Sequence, residues 1–281
     1  MSRPVAFITG ASRGIGAESA VALAQAGYDL ALSARTLNAG DAQQYFDQTQ
    51  ALPGSLTATA AAVEAAGGNA LCLQADLLES ASMVAAADTA LSHYGRIDLV
   101  FNNAVYQGSG NQEAILEVQP EQLTAIYQAN VITPLLLVKA LLPAMLEAGS
   151  GTIINMVSHA AFHNPPAPAS AGGWSFAYPS SKAALSRMVG ALKAEHRDTD
   201  LRCFNLEPGF VITEVMKAAG ITDKIAEKFK PCSPAAIAAV VAWLAGNDPP
   251  EDWGMDELVR GPLAAKHLAL LKTPSYLPSG D

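Results

Sequence analysis

The sequence predicts an α/β protein: a doubly wound parallel sheet with helices on both faces, in a single domain. Three observations predict it. Short apolar runs alternate with helical periodicities along the chain, as in βα units. The first run, Val5 to Thr9, passes through Gly10, Gly14 and Gly16 straight into a helical pattern. The runs end on small, polar or charged residues, among them Gly10, Arg35, Asp76, Asn103, Ser158 and Pro208. Ligands of open α/β sheets bind beyond the carboxyl ends of the strands, where these residues fall.

Size and composition agree. Of 281 residues, 50% are hydrophobic and 15% are charged, which suits one large core. The net charge is −9 with no basic cluster, so a nucleic-acid partner is not expected. Cys72, Cys203 and Cys232 lie far apart, without disulfide or metal-ligand spacing, and read as free thiols with no metal site. The N-terminus lacks the layout of a signal peptide, and no stretch reaches about 18 uninterrupted apolar residues. A cytoplasmic protein without a membrane partner is expected.

In order, Val5 to Thr9 is a buried strand and Ile15 to Gln25 a helix. Glycines in this context permit a tight turn and let the backbone approach a pyrophosphate, which the helix N-terminus attracts. Gly10, Ser12, Arg13, Gly14, Ile15 and Gly16 are the candidate phosphate loop. The second strand, Tyr28 to Ser33, is followed by Arg35 and not by the acid that holds a ribose 2′-hydroxyl. Arg35, with Arg13 as a second cation, points to a 2′-phosphate and hence to NADP, because the guanidinium fork suits phosphate. Residues 36–57 read as an irregular insertion before a helix, Leu56 to Ala66. Strands follow at Ala70 to Gln74, Ile97 to Phe101, Thr152 to Val157 and Leu201 to Leu206. Helices are expected at Ser80 to Tyr94, from Pro120 through Asn130 to Leu142, and over Ala235 to Leu244. Met255 to Val259 reads as a last strand, and Gly261 to Lys272 as a helix before an extended tail.

A further helix, Ala183 to Leu192, begins just after Tyr178-Pro-Ser-Ser-Lys182. Residues four apart share a helix face, so Tyr178 and Lys182 present a phenol and an ammonium together. The positive charge is expected to pull the phenol below its usual value near 10, toward a group that exchanges protons at neutral pH.

With Thr9-Gly-Ala-Ser-Arg-Gly-Ile-Gly16, Asp76-Leu77, Asn102-Asn-Ala104, Asn130, Ser158, Tyr178-Pro-Ser-Ser-Lys182 and Pro208-Gly209 with Thr213, all in order, the chain resembles the short-chain dehydrogenase/reductase family. The resemblance covers about residues 4 to 245. It implies a Rossmann-type domain holding both cofactor and substrate, over residues 1–250, with residues 251–281 as an extension on the same domain or a neighbouring subunit. It implies an oxidoreductase of carbonyls or secondary alcohols that uses NADP(H), assembled as a homo-oligomer, dimer or tetramer. Tyr178 is then the general acid/base, Lys182 its partner, Ser158 a donor to the substrate oxygen, and Asn130 a holder of a proton-relay water. Asp76 and Leu77 flank the adenine, and Asn103 and Ala104 line the ribose. Pro208, Gly209, Val211 and Thr213 enclose the nicotinamide amide. The alternative from another class is a non-catalytic NADP-binding regulator on the same fold; the presence of both Tyr178 and Lys182 favours an enzyme.

The chain departs from the family pattern in places. Val105 replaces a glycine, and a local backbone shift is expected there. Twenty positions separate Ser158 from Tyr178, more than the family usually has. The extra segment, Asn164 to Phe176 with Trp174, is expected to be a flap at the substrate pocket. Glu207 precedes Pro208 in place of a neutral residue, and either faces the pocket, favouring a polar or cationic substrate, or makes a surface ion pair.

Overall fold

A computed structural model describes residues 2–45, 48–218, 220, 231–250 and 258–270. Seven strands form one sheet: β1 (Val5–Thr9), β2 (Asp29–Ala34), β5 (Ala70–Gln74), β6 (Leu99–Asn102), β7 (Ser150–Met156), β8 (Asp200–Glu207) and β9 (Leu258–Arg260). Their spatial order is β5-β2-β1-β6-β7-β8-β9 and every pairing is parallel. The chain winds outward from β1 to β5, then crosses to β6 and winds the other way. The crossing leaves a crevice above the carboxyl ends of β1 and β6, the usual ligand position in such sheets.

Both faces of the sheet are buried, so its strands are apolar at nearly every position. Ala6 and Ile8 of β1 join Leu30, Leu32 and Phe101 on one face. That face is covered by α1 (Gly14–Gln25), α2 (Leu56–Ala65) and α8 (Pro234–Leu244). Val5 and Phe7, alternate residues of the same strand, pack on the other face with Val100 and Ile153. Helices α3 (Ser80–Tyr94), α4 (Pro120–Tyr127), α5 (Thr133–Glu147) and α6 (Ala177–Glu195) lie on that side.

Local chemistry sets the helix ends. Ser55 and Ser233 cap α2 and α8, each accepting a backbone N–H three residues on. Gly95 closes α3 in the left-handed conformation, at φ 72°. The fourth strand begins two residues later than expected, because Asp98 turns its carboxylate back to the Val5 N–H, at 2.7 Å.

The expected helix from Pro120 to Leu142 is broken into α4 and α5 by a π turn over Gln128–Ile132. Pro134 has no N–H to give the carbonyl of residue 130, so the regular ladder is interrupted there. The combined run Pro120–Glu147 is long and apolar enough to cross a membrane by length and composition. Its apolar face is occupied, however: Ile126, Leu137, Val138, Leu141 and Met145 are buried.

The insertion is not irregular. It folds into an antiparallel hairpin, β3 (Gln43–Tyr45) with β4 (Gln48–Gln50). Beyond β8 lies a short helix, α7 (Glu214–Ala218). After β9, helix α9 (Gly261–His267) packs Ala264 and Ala265 into the main core. The expected strand start at Met255 and the tail beyond residue 270 lie outside the described residues.

Candidate active site

A cleft of about 850 Å³ opens at the crossing point and takes in every residue expected at the cofactor except Gly16, which sits beneath it. Gly10 is at φ 69°, and a Cβ there would lie 2.9 Å from Asn103 Nδ2 and 3.0 Å from the Ala104 backbone. A Cβ on Gly16 would lie 2.2 Å from the Gly10 carbonyl oxygen, so the turn and the helix close together only as glycines. Arg13 starts α1 without a side-chain cap, and the first turn carries no acid. The bare N–H groups of that turn fit a pyrophosphate.

Thr9 and Asn103 weld the ends of β1 and β6. Thr9 Oγ1 accepts from the N–H groups of Asn103 and Ala104, both at 3.0 Å, and Asn103 Nδ2 donates to the Thr9 carbonyl at 2.9 Å. Val105 keeps an ordinary φ, since Ala269 is the single non-glycine with positive φ among the described residues. The backbone therefore accepts a side chain where the family has glycine. Asp76 holds the turn after β5 through Oδ1, which accepts from Leu78 N, while the Leu77 carbonyl accepts from Thr133 Oγ1 at 2.6 Å.

Tyr178 and Lys182 lie one turn apart on α6, above the end of β7. The Ser158 hydroxyl lies beside the Tyr178 phenol, close enough to pull its pKa down. Lys182 is 2% exposed and donates to the Met156 carbonyl at 2.7 Å. Burial alone pulls this ammonium down to about 7. The phenol departs from expectation. Burial pushes Tyr178 above its usual value, Ser158 pulls it back in part, and the Glu207 carboxylate pushes it up again. The Lys182 Nζ is turned to the Met156 carbonyl.

Asn130 sits at the centre of the π turn, a common location for functional residues. Its Oδ1 accepts from Tyr106 N at 2.8 Å, and its Nδ2 donates to Ser181 Oγ at 3.0 Å. Its side chain thus ties α6 to the loop after β6. Neither Asn130 nor Ser158 lines the cleft directly.

Three other expectations change. Arg13 lines the cleft, but its guanidinium is engaged within the protein: it donates to the carbonyls of Pro53 at 2.8 Å and Gly54 at 3.0 Å, and to Tyr45 Oη at 2.5 Å. Glu207 neither faces a substrate nor makes a surface ion pair. It is 5% exposed, and its carboxylate accepts from the backbone N–H groups of Gly209, at 2.7 Å, and His159. Trp174 stands edge-on to His159, 6.1 Å between rings, and is not part of the cleft wall. Its segment reaches the cleft indirectly, through Ser175 Oγ donating to the Asn111 carbonyl at 2.6 Å.

The family model for short chain dehydrogenase matches residues 4–224. The chain belongs to this family. An uncharacterized oxidoreductase of Methylorubrum extorquens is 32% identical over 253 residues, 87% of this chain and 91% of that protein. A solved metagenomic short-chain oxidoreductase, in complex with NADP, is 29% identical with a TM-score of 0.68, covering 92% of this chain and 95% of its own. A 3-oxoacyl-(acyl-carrier protein) reductase from Brucella melitensis, in complex with NAD, is 27% identical with a TM-score of 0.73, covering 94% and 98%.

This short-chain dehydrogenase also carries site-building residues to which sequence reasoning gave no role. Asn102, Asn155 and Asn205 stand side by side on β6, β7 and β8. Asn102 Nδ2 donates to Asn155 Oδ1 at 2.9 Å, and Asn155 and Asn205 donate to the Leu185 and Ser186 carbonyls of α6. The row fixes the helix that bears Tyr178 against the strands that bear Asn103, Ser158 and Pro208. Its signal was present: an asparagine near the end of three successive apolar runs. Ser181, which accepts from Asn130 and donates to the Tyr178 carbonyl, was hidden inside the motif as a filler position.

Proposed function

We propose that the chain is an NADP(H)-dependent oxidoreductase that moves a hydride between the nicotinamide and a carbonyl or secondary alcohol, with Tyr178 as general acid and base. The observation that carries this reading is Tyr178 on the cleft wall, one helical turn from buried Lys182, which is fixed on the Met156 carbonyl at the end of β7, with Ser158 beside the phenol. The bare first turn of α1 and the close-set glycines fit a dinucleotide. When bound, that cofactor supplies or accepts the hydride.

The protein's residues handle position and protons. A phenol held above its usual value keeps its proton at neutral pH and delivers it to the oxygen that gains charge as a carbonyl is reduced. Ser158, beside the same phenol, donates to that oxygen. Lys182, poised near 7, passes a proton toward Tyr178. Pro134 leaves the Asn130 carbonyl without a helical donor, which suits a relay water. Arg35 favours the 2′-phosphorylated cofactor. The three free cysteines suit a cytoplasmic location.

The test is turnover of NADPH and NADH against a carbonyl panel. NADPH oxidation should fall at least about a hundredfold in Tyr178→Phe, the scale of a lost general acid, while NADPH binding persists. Equal turnover by the Phe variant would sink the assignment of Tyr178. Preference for NADH would sink that of Arg35.

A further inference from the structure

The hairpin insertion holds both arginines of the adenosine end. Tyr45, in β3, is 3% exposed and packs with Leu52 and with Val215 of α7. Its hydroxyl accepts from Arg13 Nη1 at 2.5 Å. Its ring centre lies 5.7 Å from the Arg13 guanidinium carbon and 5.2 Å from that of Arg35. The neighbouring Gln44 carbonyl accepts from Arg35 Nη2 at 3.0 Å. Arg13 also donates to the Pro53 and Gly54 carbonyls and to Thr36 Oγ1, so it acts as a strut between the glycine loop and the insertion. Arg35, Gln44 and Tyr45 all line the cleft.

A long cationic side chain loses rotamer freedom when it clamps a ligand, and prior immobilisation removes that cost from binding. The face of an aromatic ring attracts a guanidinium and fixes its plane. We propose that Tyr45 sets the preference for a 2′-phosphorylated adenosine by holding Arg35 on its ring, with Arg35 as the phosphate contact and Arg13 as the strut. Tyr45 is thus a positioning residue. The proposal rests on the NADP reading above and adds the insertion as the element that determines it.

The probes are adenosine 2′,5′-bisphosphate and adenosine 5′-monophosphate, titrated calorimetrically into the full chain. Their affinity ratio isolates the 2′-phosphate from the rest of the cofactor and needs no turnover. The unmodified chain should favour the bisphosphate by at least about tenfold, the scale of a charge-assisted contact. Tyr45→Met keeps the apolar volume against Leu52 and Val215 and removes the ring; it should cut the ratio to within about threefold of unity, chiefly by weakening the bisphosphate. Tyr45→Phe keeps the ring and the core, and should retain the ratio to within about threefold. A full ratio in the Met variant would overturn the role of Tyr45. So would a Phe variant that loses the ratio, since the hydroxyl bond to Arg13 would then be the determinant. A chain that lacks the preference before any substitution would instead overturn the NADP reading.

Discussion

At the scale of the residue, Lys182 carries a measurable burden. Its folded value near 7 lies well below the 10.5 of an exposed lysine. Between those values the unfolded chain binds the extra proton, so unfolding becomes harder as pH rises through this window. From pH 7 to 8.5, below the titration of the Cys232 thiol that burial raises to about 11, the gain from Lys182 should reach up to about 2 kcal/mol. Urea titrations should show that slope in the unmodified chain and a flatter one in Lys182→Met; matching slopes would remove the assignment. The placing of Tyr178 and Lys182 one turn apart on a single helix was legible, because helical spacing fixes it. The direction of the tyrosine's shift was not. It depends on how deeply the phenol is enclosed and on Glu207, which is remote in sequence.

At the scale of the element, the insertion shows where pattern reading stopped. Its glycines, prolines and polar residues gave no strand period, and a hairpin of three residues a side is too short to show one. One close backbone approach helps to anchor it. Gly54 stands at φ 94°, and a Cβ there would lie 2.4 Å from the Ser12 carbonyl oxygen. Gly54→Ala should therefore lower stability by about 1–3 kcal/mol, the scale of a strained left-handed residue in contact with a fixed backbone. It should also weaken NADPH binding, because the Ser12 peptide belongs to the glycine loop. Thermal melting with and without NADPH separates the two effects. The segment before α6 gives another expectation. Trp174→Ala removes the edge contact to His159, beside Ser158, and should raise KM for substrate through the Ser175–Asn111 link, with NADPH affinity unchanged. An unchanged KM would leave the segment as an ordinary surface loop.

For the whole molecule, the doubly wound parallel sheet was legible from the alternation of elements, since strands buried on both faces read as unbroken apolar runs. The boundary between α4 and α5 was less so, because apolar periodicity continues through the π turn. The surface carries an apolar pair on a helix. Ile132 and Leu135, three residues apart on the outer side of that helical run, are 44% and 43% exposed. Exposed apolar neighbours on a helix favour burial against another copy. A homo-oligomer through this face should dissociate in the double variant Ile132→Glu, Leu135→Glu, read as a smaller mass by light scattering. Unaltered mass would move the interface elsewhere.

The asparagine row has a further consequence for how the chain reaches its one arrangement. Strands made almost wholly of interchangeable aliphatic residues tolerate sliding past one another, since many offsets bury similar area. The amides of Asn102 and Asn155, which bond only when the two come level, act as an index mark, for any other offset strands polar groups in oil. Replacing Asn155 with leucine should thus do more than remove hydrogen bonds. It should slow refolding and increase the yield of misaligned, aggregation-prone chains, even where the final native protein regains the correct offset.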